Sequence, residues 1–181
     1  MFCSRLIHMG NTAKNGFSLL EVMLVTLMIA ILASAGWPAL QRNIQQQQLM
    51  SAAELVYLAV RDARLAAIGN GADWWFGKTA SAELCFSDHA VIPAQCSPQH
   101  ATESSVIALQ QLPEQIHVDV HFHAHQAVRF SAHTGMAGFS AGHFAVRHQE
   151  LADTTVKIIV SSIGRIRMCT EGARSSRVPP C

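Results

Sequence analysis

Residues 16–22 read Gly-Phe-Ser-Leu-Leu-Glu-Val and stand at the head of a long apolar run. Residues 22–40 contain no charged side chain. The 23 residues 17–39 would form about 34 Å of helix, which is enough to cross a hydrocarbon core of about 30 Å. The segment 17–40 is therefore predicted to be a membrane-spanning helix.

Glu21 is the unusual residue of this segment, because a carboxylate inside a membrane is unfavourable. A charged side chain at the bilayer centre costs about 2.5–3.5 kcal/mol, and somewhat less near an end, so it calls for a partner. Ser18 and Glu21 have the spacing of a capping box, which would cap a helix that starts near Leu19. The residues alone leave open whether Glu21 has this local role or a partner from another chain.

An ordinary signal peptide is the competing interpretation of the N-terminus. Arg5 and Lys14 would form its basic region, and Ala33-Ser34-Ala35 fits the small-residue form of a cleavage site. Glu21 argues against this interpretation, because the apolar region of a signal peptide has no use for a charge at its head.

The motif G-F-S-L-L-E-V followed by a long apolar run resembles the class III signal of type IV pilins and type II secretion pseudopilins. The resemblance implies a leader at 1–16 that prepilin peptidase removes by cutting after Gly16. It also implies N-methylation of Phe17, and pairing of Glu21 with the N-terminal amine of a neighbouring pilin or pseudopilin subunit. The leader is long for this family, and translation from Met9 would shorten it.

The same resemblance implies where the chain is found. Before assembly it would cross the bacterial inner membrane once, and residues 41–181 would form a periplasmic or extracellular, pilus-associated domain.

Beyond the apolar run the helical pattern continues. Pro38 predicts a kink, and Gly69-Asn70-Gly71 ends the pattern, which gives a helix of about 50 residues. In its second half, apolar residues recur at helical spacing and charged residues lie between them. The apolar positions are Ala52, Leu55, Val56, Ala59, Ala63, Ala66 and Ala67, and the charged positions are Glu54, Arg61, Asp62 and Arg64.

After Gly71 the apolar period becomes that of strands. Strands are predicted at 84–86, 106–109, 116–122, 128–130, 139–146, 156–160 and 163–168. A helix on antiparallel strands is an α+β architecture. With the N-terminal motif it resembles a pilin-like fold, a long helix with a membrane half and an amphipathic half packed on antiparallel β-sheet. Trp74-Trp75-Phe76, just past the helix, is interpreted as a core or loop anchor, with a partner surface as the alternative.

Five cysteines are present, and four of them follow the apolar run. Four cysteines allow three connectivities. The two local loops Cys85–Cys96 and Cys169–Cys181 are the simplest, and each could stabilise the fold by about 3 kcal/mol. The sequence lacks the closely spaced pairs that zinc sites use. Disulfides indicate an oxidising compartment, in agreement with export.

One predicted strand carries polar residues on a single face, namely Asp119 with His117, His121, His123 and His125. Strand neighbours at i and i+2 lie about 6.5–7 Å apart and point in parallel, so they converge poorly on one ion. A solvated sheet face is expected there rather than a metal site.

The sequence also lacks the common catalytic and phosphate-binding motifs, so neither an enzymatic activity nor a cofactor is expected.

Positive charge is concentrated near the C-terminus of a chain whose formal net charge is only +1. Residues 161–181 carry one glutamate, Glu171, and four arginines, Arg165, Arg167, Arg174 and Arg177. On a strand, Arg165 and Arg167 would point to the same side, about 6.5–7 Å apart, with Ile166 inward. An ordinary solvated edge strand would carry arginines in the same way.

Gly164-Arg165-Ile166-Arg167 resembles the GRxR motif of the FimT branch of the GspH/FimT minor pilins, where the motif serves DNA uptake in natural transformation. The resemblance implies non-specific binding of double-stranded DNA. The motif contributes Gly164, Arg165 and Arg167 to this site, and the basic cluster around it adds Arg174 and Arg177. The alternative is a structural tip or priming subunit without DNA binding. The sequence does not separate a type IV pilus from a type II secretion system.

Processing after Gly16 is the first testable consequence. Mass spectrometry of the membrane-extracted protein should show a mature chain that begins with N-methylated Phe17. Gly16→Ala should leave the leader attached, because it changes the residue on which cleavage depends. A mature N-terminus at Gly36 would instead establish the signal-peptide interpretation.

Overall fold

The computed structural model describes residues 18–79, 84–87, 112–122, 126–172 and 178–181. Several sequence predictions fall outside these ranges and remain predictions. They concern the leader 1–16, the strand 106–109, and the residues Gly16, Phe17, Cys96, His123, His125, Arg174 and Arg177.

A long helix, α1 (Leu19–Asn70), opens the described structure and contains 52 residues. The sequence predicts a helix of about this length, and Pro38 lies inside it. Gly71 follows its last residue with a φ of +63°, a left-handed conformation that glycine adopts readily at the end of a helix.

The N-terminal part of α1 is apolar and exposed. Leu19, Leu20 and Leu32 have 78%, 71% and 73% of their surfaces exposed. None of the most apolar 18-residue stretch of the helix is buried. That stretch has the length and composition of a membrane-spanning segment, properties that it shares with signal sequences.

The first turn of α1 is closed by the backbone alone. The amide of Val22 donates a hydrogen bond of 3.2 Å to the carbonyl of Ser18. Among the described residues, neither the Ser18 hydroxyl nor the Glu21 carboxylate takes part in a hydrogen bond. The capping box that the sequence allows is therefore not formed, and Glu21 has no local partner.

The part of α1 after Arg42 buries one face. Five of its eight buried apolar residues are alanines, and the set is Leu49, Ala52, Ala53, Val56, Ala59, Val60, Ala63 and Ala67. Arg61 is exposed, as predicted. Arg64 departs from the prediction of a purely polar face, because it is half-buried and its Nε donates a hydrogen bond of 3.1 Å to the Gly135 carbonyl.

Seven strands form two antiparallel sheets, so the described architecture is α+β. The strands are β1 (Trp74–Lys78), β2 (Leu84–Ser87), β3 (Ile116–Phe122), β4 (Ala127–Phe130), β5 (Gly142–His148), β6 (Thr154–Val160) and β7 (Ile166–Gly172). One sheet has the order β2-β1-β4 and the other β3-β5-β6-β7. The predicted strand 116–122 has the bounds of β3, and the predictions for β2, β4 and β6 differ by at most two residues.

The sequence does not predict β1 as a strand. Trp74-Trp75-Phe76 opens this central strand of the three-stranded sheet. Trp74 and Phe76 are buried and lie opposite Phe130 and Val128 of β4. Trp74 and Phe76 are therefore core residues, as interpreted, and they lie on a strand rather than in a loop. Three large aromatic residues in succession conceal the alternation that marks a strand.

Two strands begin later than predicted, each because of a glycine in the left-handed region. β5 begins at Gly142 rather than at 139, because Gly138–Ser140 form a 3₁₀ turn in which Gly138 has a φ of +55°. β7 begins at Ile166 rather than at 163, because Gly164 has a φ of +79° and ends a turn.

Aromatic rings join the two sheets in the core. The ring centroid of Phe144 on β5 lies 5.3 Å from that of Phe76 on β1 and 4.8 Å from that of Phe122 on β3. Phe76 lies 4.8 Å from Phe86 on β2. These residues belong to the same cluster as the buried face of α1. The second part of the helix and both sheets therefore share one hydrophobic core.

Phe144→Ala should lower the free energy of unfolding by about 3–5 kcal/mol, because it removes a buried ring and leaves a cavity where the sheets meet. Denaturant unfolding of the detergent-solubilised chain, followed by far-ultraviolet circular dichroism, measures the change. The matched control is Leu65→Ala on α1, where 53% of the side chain is exposed, and its effect should stay below about 1 kcal/mol. Equal effects of the two variants would contradict a shared core at Phe144.

Candidate functional site

The turn between β6 and β7 carries the first arginine of the predicted cluster. The Gly164 amide donates to the Ser161 carbonyl (2.8 Å), and the Ser161 amide donates to the Arg165 carbonyl (3.0 Å). The Arg165 amide donates to the Ser161 hydroxyl oxygen (3.1 Å). A three-residue loop that ends in a left-handed glycine is a common hairpin connection. The backbone of Arg165 is therefore fixed on both sides.

Gly164 is required both by its left-handed backbone and by its close contact with the Gly135 carbonyl. A Cβ at this position would clash with the Gly135 carbonyl oxygen and would lie 3.3 Å from Nε of Arg64. Arg64 itself binds the same Gly135 carbonyl. The glycine of the motif therefore lets the turn rest on the loop around Gly135 and, through Arg64, on α1.

A second contact attaches the turn to the neighbouring loop. The Gly138 amide donates a hydrogen bond of 2.8 Å to the Ser162 carbonyl. The turn is therefore fastened at Ser162 and at Gly164, two residues apart. Sequence reasoning assigns no role to Arg64, Gly135 or Gly138 here, because their contacts join segments far apart in the chain. The glycines themselves are the only local signal.

Arg165 and Arg167 are both exposed, and Ile166 between them is half-buried against the core. The predicted alternation is thus present for Ile166 and Arg167, which belong to β7. Arg165 differs from the prediction, since it is the last residue of the turn rather than part of the strand. Both guanidinium groups nevertheless belong to one short stretch at the same end of the hairpin.

The outer face of the four-stranded sheet extends from Arg167. Strand register places Ile159 of β6 opposite Arg167, His143 of β5 opposite Ile159, and His121 of β3 opposite His143. The rings of His121 and His143 stack with centroids 4.8 Å apart. This row therefore combines the Arg167 guanidinium with two stacked imidazole rings.

Two other cations of this face have carboxylate partners. Lys157 and Glu171 form an ion pair of 2.5 Å, and Arg147 lies 3.6 Å from Asp119. Among the described residues, Arg165 and Arg167 have no ion-pair partner. The surplus positive charge of the face therefore lies at the turn, on side chains that remain available to an anion.

The surroundings of His143 act on its protonation. Burial lowers the pKa of His143, and the nearby His121 and Lys157 lower it further, against a smaller raising effect of Glu171. These surroundings therefore disfavour the protonated form of His143. The described residues contain no group of three or more His, Cys, Asp or Glu side chains that could hold a metal ion. His117 and His121 are exposed, as a solvated face predicts.

The C-terminal residues attach to the edge of β7. Cys169 and Cys181 form a disulfide with Cα atoms 4.8 Å apart, which is the pairing that the sequence favours. The Thr170 amide donates to the Pro179 carbonyl (2.9 Å), and the Cys181 amide donates to the Thr170 carbonyl (3.0 Å). The chain on both sides of 173–177, which contains Arg174 and Arg177, is therefore anchored beside the motif.

Of the second predicted disulfide, Cys85–Cys96, the structure describes only Cys85. Cys85 lies buried on β2 and is disulfide-bonded. Its predicted partner, Cys96, lies outside the described residues, so this pairing remains a prediction.

Comparisons of the chain with protein-family models, with curated proteins and with solved structures give no match.

Substitution of Gly164 should show how tightly the turn is held. Gly164→Ala adds left-handed strain and a clash with the Gly135 carbonyl, so it should lower the free energy of unfolding by about 1–3 kcal/mol or more. Gly138→Ala carries the strain without the clash, because a Cβ there has open space, and should have a smaller effect. Gly69→Ala, in open space on α1, should stabilise by up to about 1 kcal/mol.

Thermal unfolding of the three variants separates strain from contact. If Gly164→Ala and Gly138→Ala destabilise equally, the contact between the turn and Gly135 contributes nothing.

Proposed function

We propose that this chain is a minor pilin of the type IV class that binds DNA through Arg165 and Arg167. Arg174 and Arg177 contribute to the same binding, which serves uptake of DNA in natural transformation. One observation carries the proposal. Two exposed arginines without ion-pair partners among the described residues, Arg165 at the end of a hydrogen-bonded turn and Arg167 at the start of β7, lie close in the chain, whereas Arg147 and Lys157 are paired with carboxylates.

Arginine suits contact with the DNA backbone because its planar guanidinium can grip phosphate oxygens with two parallel hydrogen bonds. Arg165 and Arg167 start from a fixed backbone, so less conformational freedom is lost on binding than in a mobile tail. The described side chains of the site, Arg165 and Arg167, are cations that suit the phosphates of the DNA backbone. Binding of double-stranded DNA is therefore expected to be independent of sequence.

Assembly into a filament is the second part of the proposal. The apolar part of α1 is exposed over its whole length, and Glu21 has no partner among the described residues. Insertion in the inner membrane, followed by packing among other pilin or pseudopilin subunits, would cover this surface. Glu21 would pair with the N-terminal amine of a neighbour once prepilin peptidase has cut after Gly16 and Phe17 is methylated.

Weak affinity is compatible with this role. Two to four arginines neutralise about two to four phosphates, which places affinity in the non-specific range, around micromolar or weaker. Several copies, or neighbouring subunits, can hold one DNA molecule together, so that the combined binding exceeds that of each site.

The test is a titration of labelled double-stranded DNA with the parent chain and with Arg165→Gln/Arg167→Gln. For the parent, the logarithm of the binding constant should fall with the logarithm of salt concentration with a slope of about −2 to −4. The double variant should have a slope that is less steep by about 2, because it loses two phosphate contacts. Fluorescence anisotropy at low and moderate salt measures both quantities.

Arg61→Gln/Arg147→Gln is the matched control, because it removes the same charge from α1 and from a paired position on the sheet. Its slope should stay close to that of the parent. If the motif variant remains folded and binds as tightly as the parent, the site assignment is wrong. If the parent shows no binding at low salt, the alternative of a structural tip or priming subunit replaces the DNA-binding proposal.

A further inference from the structure

Phe139 is the most exposed large apolar residue of the described chain, with 98% of its surface accessible. Two other exposed apolar side chains lie on segments that contact its loop, Met136 at 48% and Ile163 at 63%. Exposed apolar clusters with a polar rim mark interaction sites on protein surfaces. Phe139 therefore contributes no buried surface to the core, and its exposure needs another explanation.

The 3₁₀ turn that carries Phe139 is firmly held. The Ser140 hydroxyl oxygen lies 2.6 Å from the Ala137 carbonyl and accepts a hydrogen bond of 2.9 Å from the Arg129 amide. The Gly138 amide donates to Ser162. The ring of Phe139 therefore projects from a fixed backbone rather than from a free loop.

A cleft of about 270 Å³ lies beneath this ring. Phe139 and Met136 line one part of it, and Trp75 and Arg129 line another. Its volume is slightly below the range of about 300–1,000 Å³ that is usual for small-molecule sites, so it suits a single planar ring system.

The wall formed by Trp75 and Arg129 is also preorganised. The guanidinium carbon of Arg129 lies 6.0 Å from the ring centroid of Trp75. Asp73 holds this guanidinium with an ion pair of 2.6 Å. A hydrogen bond from the Ala132 amide lowers the pKa of Asp73, and Arg129 lowers it further, so the carboxylate stays charged. The lining of the cleft thus includes the aromatic rings of Phe139 and Trp75 and the guanidinium of Arg129.

The cleft is close to the arginine turn. The hydrogen bond between Gly138 and Ser162 connects the residue before Phe139 to the loop that ends at Arg165. The covalent geometry of the chain on either side of this bond limits the Cα atoms of Phe139 and Arg165 to a separation of at most about 20 Å. One nucleic-acid strand can span that distance, with its phosphates on the arginines and a base in the cleft.

We propose that the cleft lined by Phe139, Trp75 and Arg129 binds a nucleobase, so that the protein prefers single-stranded or frayed DNA ends to closed duplex. This inference rests on the proposed function, since it assigns the substrate form of the same site. Aromatic platforms beside a cationic groove are the composition of single-strand binding sites, and stacking on them tolerates every base. A base paired within a duplex cannot enter the cleft without leaving its stack.

The experiment uses the full chain in zwitterionic detergent micelles, with Trp37→Phe as background so that emission comes from Trp74 and Trp75. The probes are an oligothymidylate of about a dozen nucleotides and a blunt DNA hairpin with the same number of phosphates. The single strand should quench tryptophan emission and bind more tightly than the hairpin. Phe139→Ala should weaken single-strand binding about five- to a hundredfold and hairpin binding less than about twofold.

Phe139→Tyr keeps the aromatic ring and should bind the single strand like the parent. Leu65→Ala, which removes a comparable exposed apolar side chain from α1, is the control and should change neither affinity. If Phe139→Ala binds both probes as the parent does while Arg165→Gln/Arg167→Gln weakens both, the base-binding cleft is overturned and the proposed function stands. The base-binding cleft is also overturned if anisotropy shows that the parent binds the single strand while its tryptophan emission does not change. If the parent binds neither probe at low salt, the base-binding cleft and the proposed DNA-binding function are both wrong.

Discussion

The close packing of the alanine face of α1 on the two sheets is the constraint on which the rest of the structure depends. Alanine side chains let the helix approach the sheets, and the remaining space is filled by large residues such as Phe76, Phe130 and Phe144. Interiors of this kind are close-packed, so the helix has little freedom to shift. Arg64 is thereby fixed, and with it the Gly135 carbonyl on which Gly164 rests.

The electrostatics of the site follow from the same framework. Strand register decides which charges of the outer face can meet, and it brings Lys157 within reach of Glu171 and Arg147 within reach of Asp119. Arg165, in the turn between β6 and β7, and Arg167, at the start of β7, form no ion pair among the described residues and remain available to another molecule. Positive charge is thus localised on a chain that is nearly neutral in sum.

The sequence predicts those features whose signals are local. The long helix and β3 follow from apolar periodicity, and the motif arginines from their spacing in one short stretch. Phe139 and Ile163 are assigned to strands because they are apolar, but the neighbouring glycines at 138 and 164 adopt left-handed conformations that end this pattern. The bond from Arg64 to Gly135 joins residues 71 positions apart, and no local pattern reports such a contact. The cleft is formed by β1, β4 and the 3₁₀ turn, which lie apart in the chain, so no local sequence pattern predicts it either.

The attachment of the turn to its surroundings also has a mechanical consequence. Tension applied at the end of an isolated hairpin would separate its two strands one hydrogen bond after another. Here the contacts of Ser162 with Gly138, and of Gly164 with Gly135 and Arg64, divide the load between β7 and α1. A pull on Arg165 is therefore shared between β7 and the part of α1 that carries Arg64, without first unzipping the sheet.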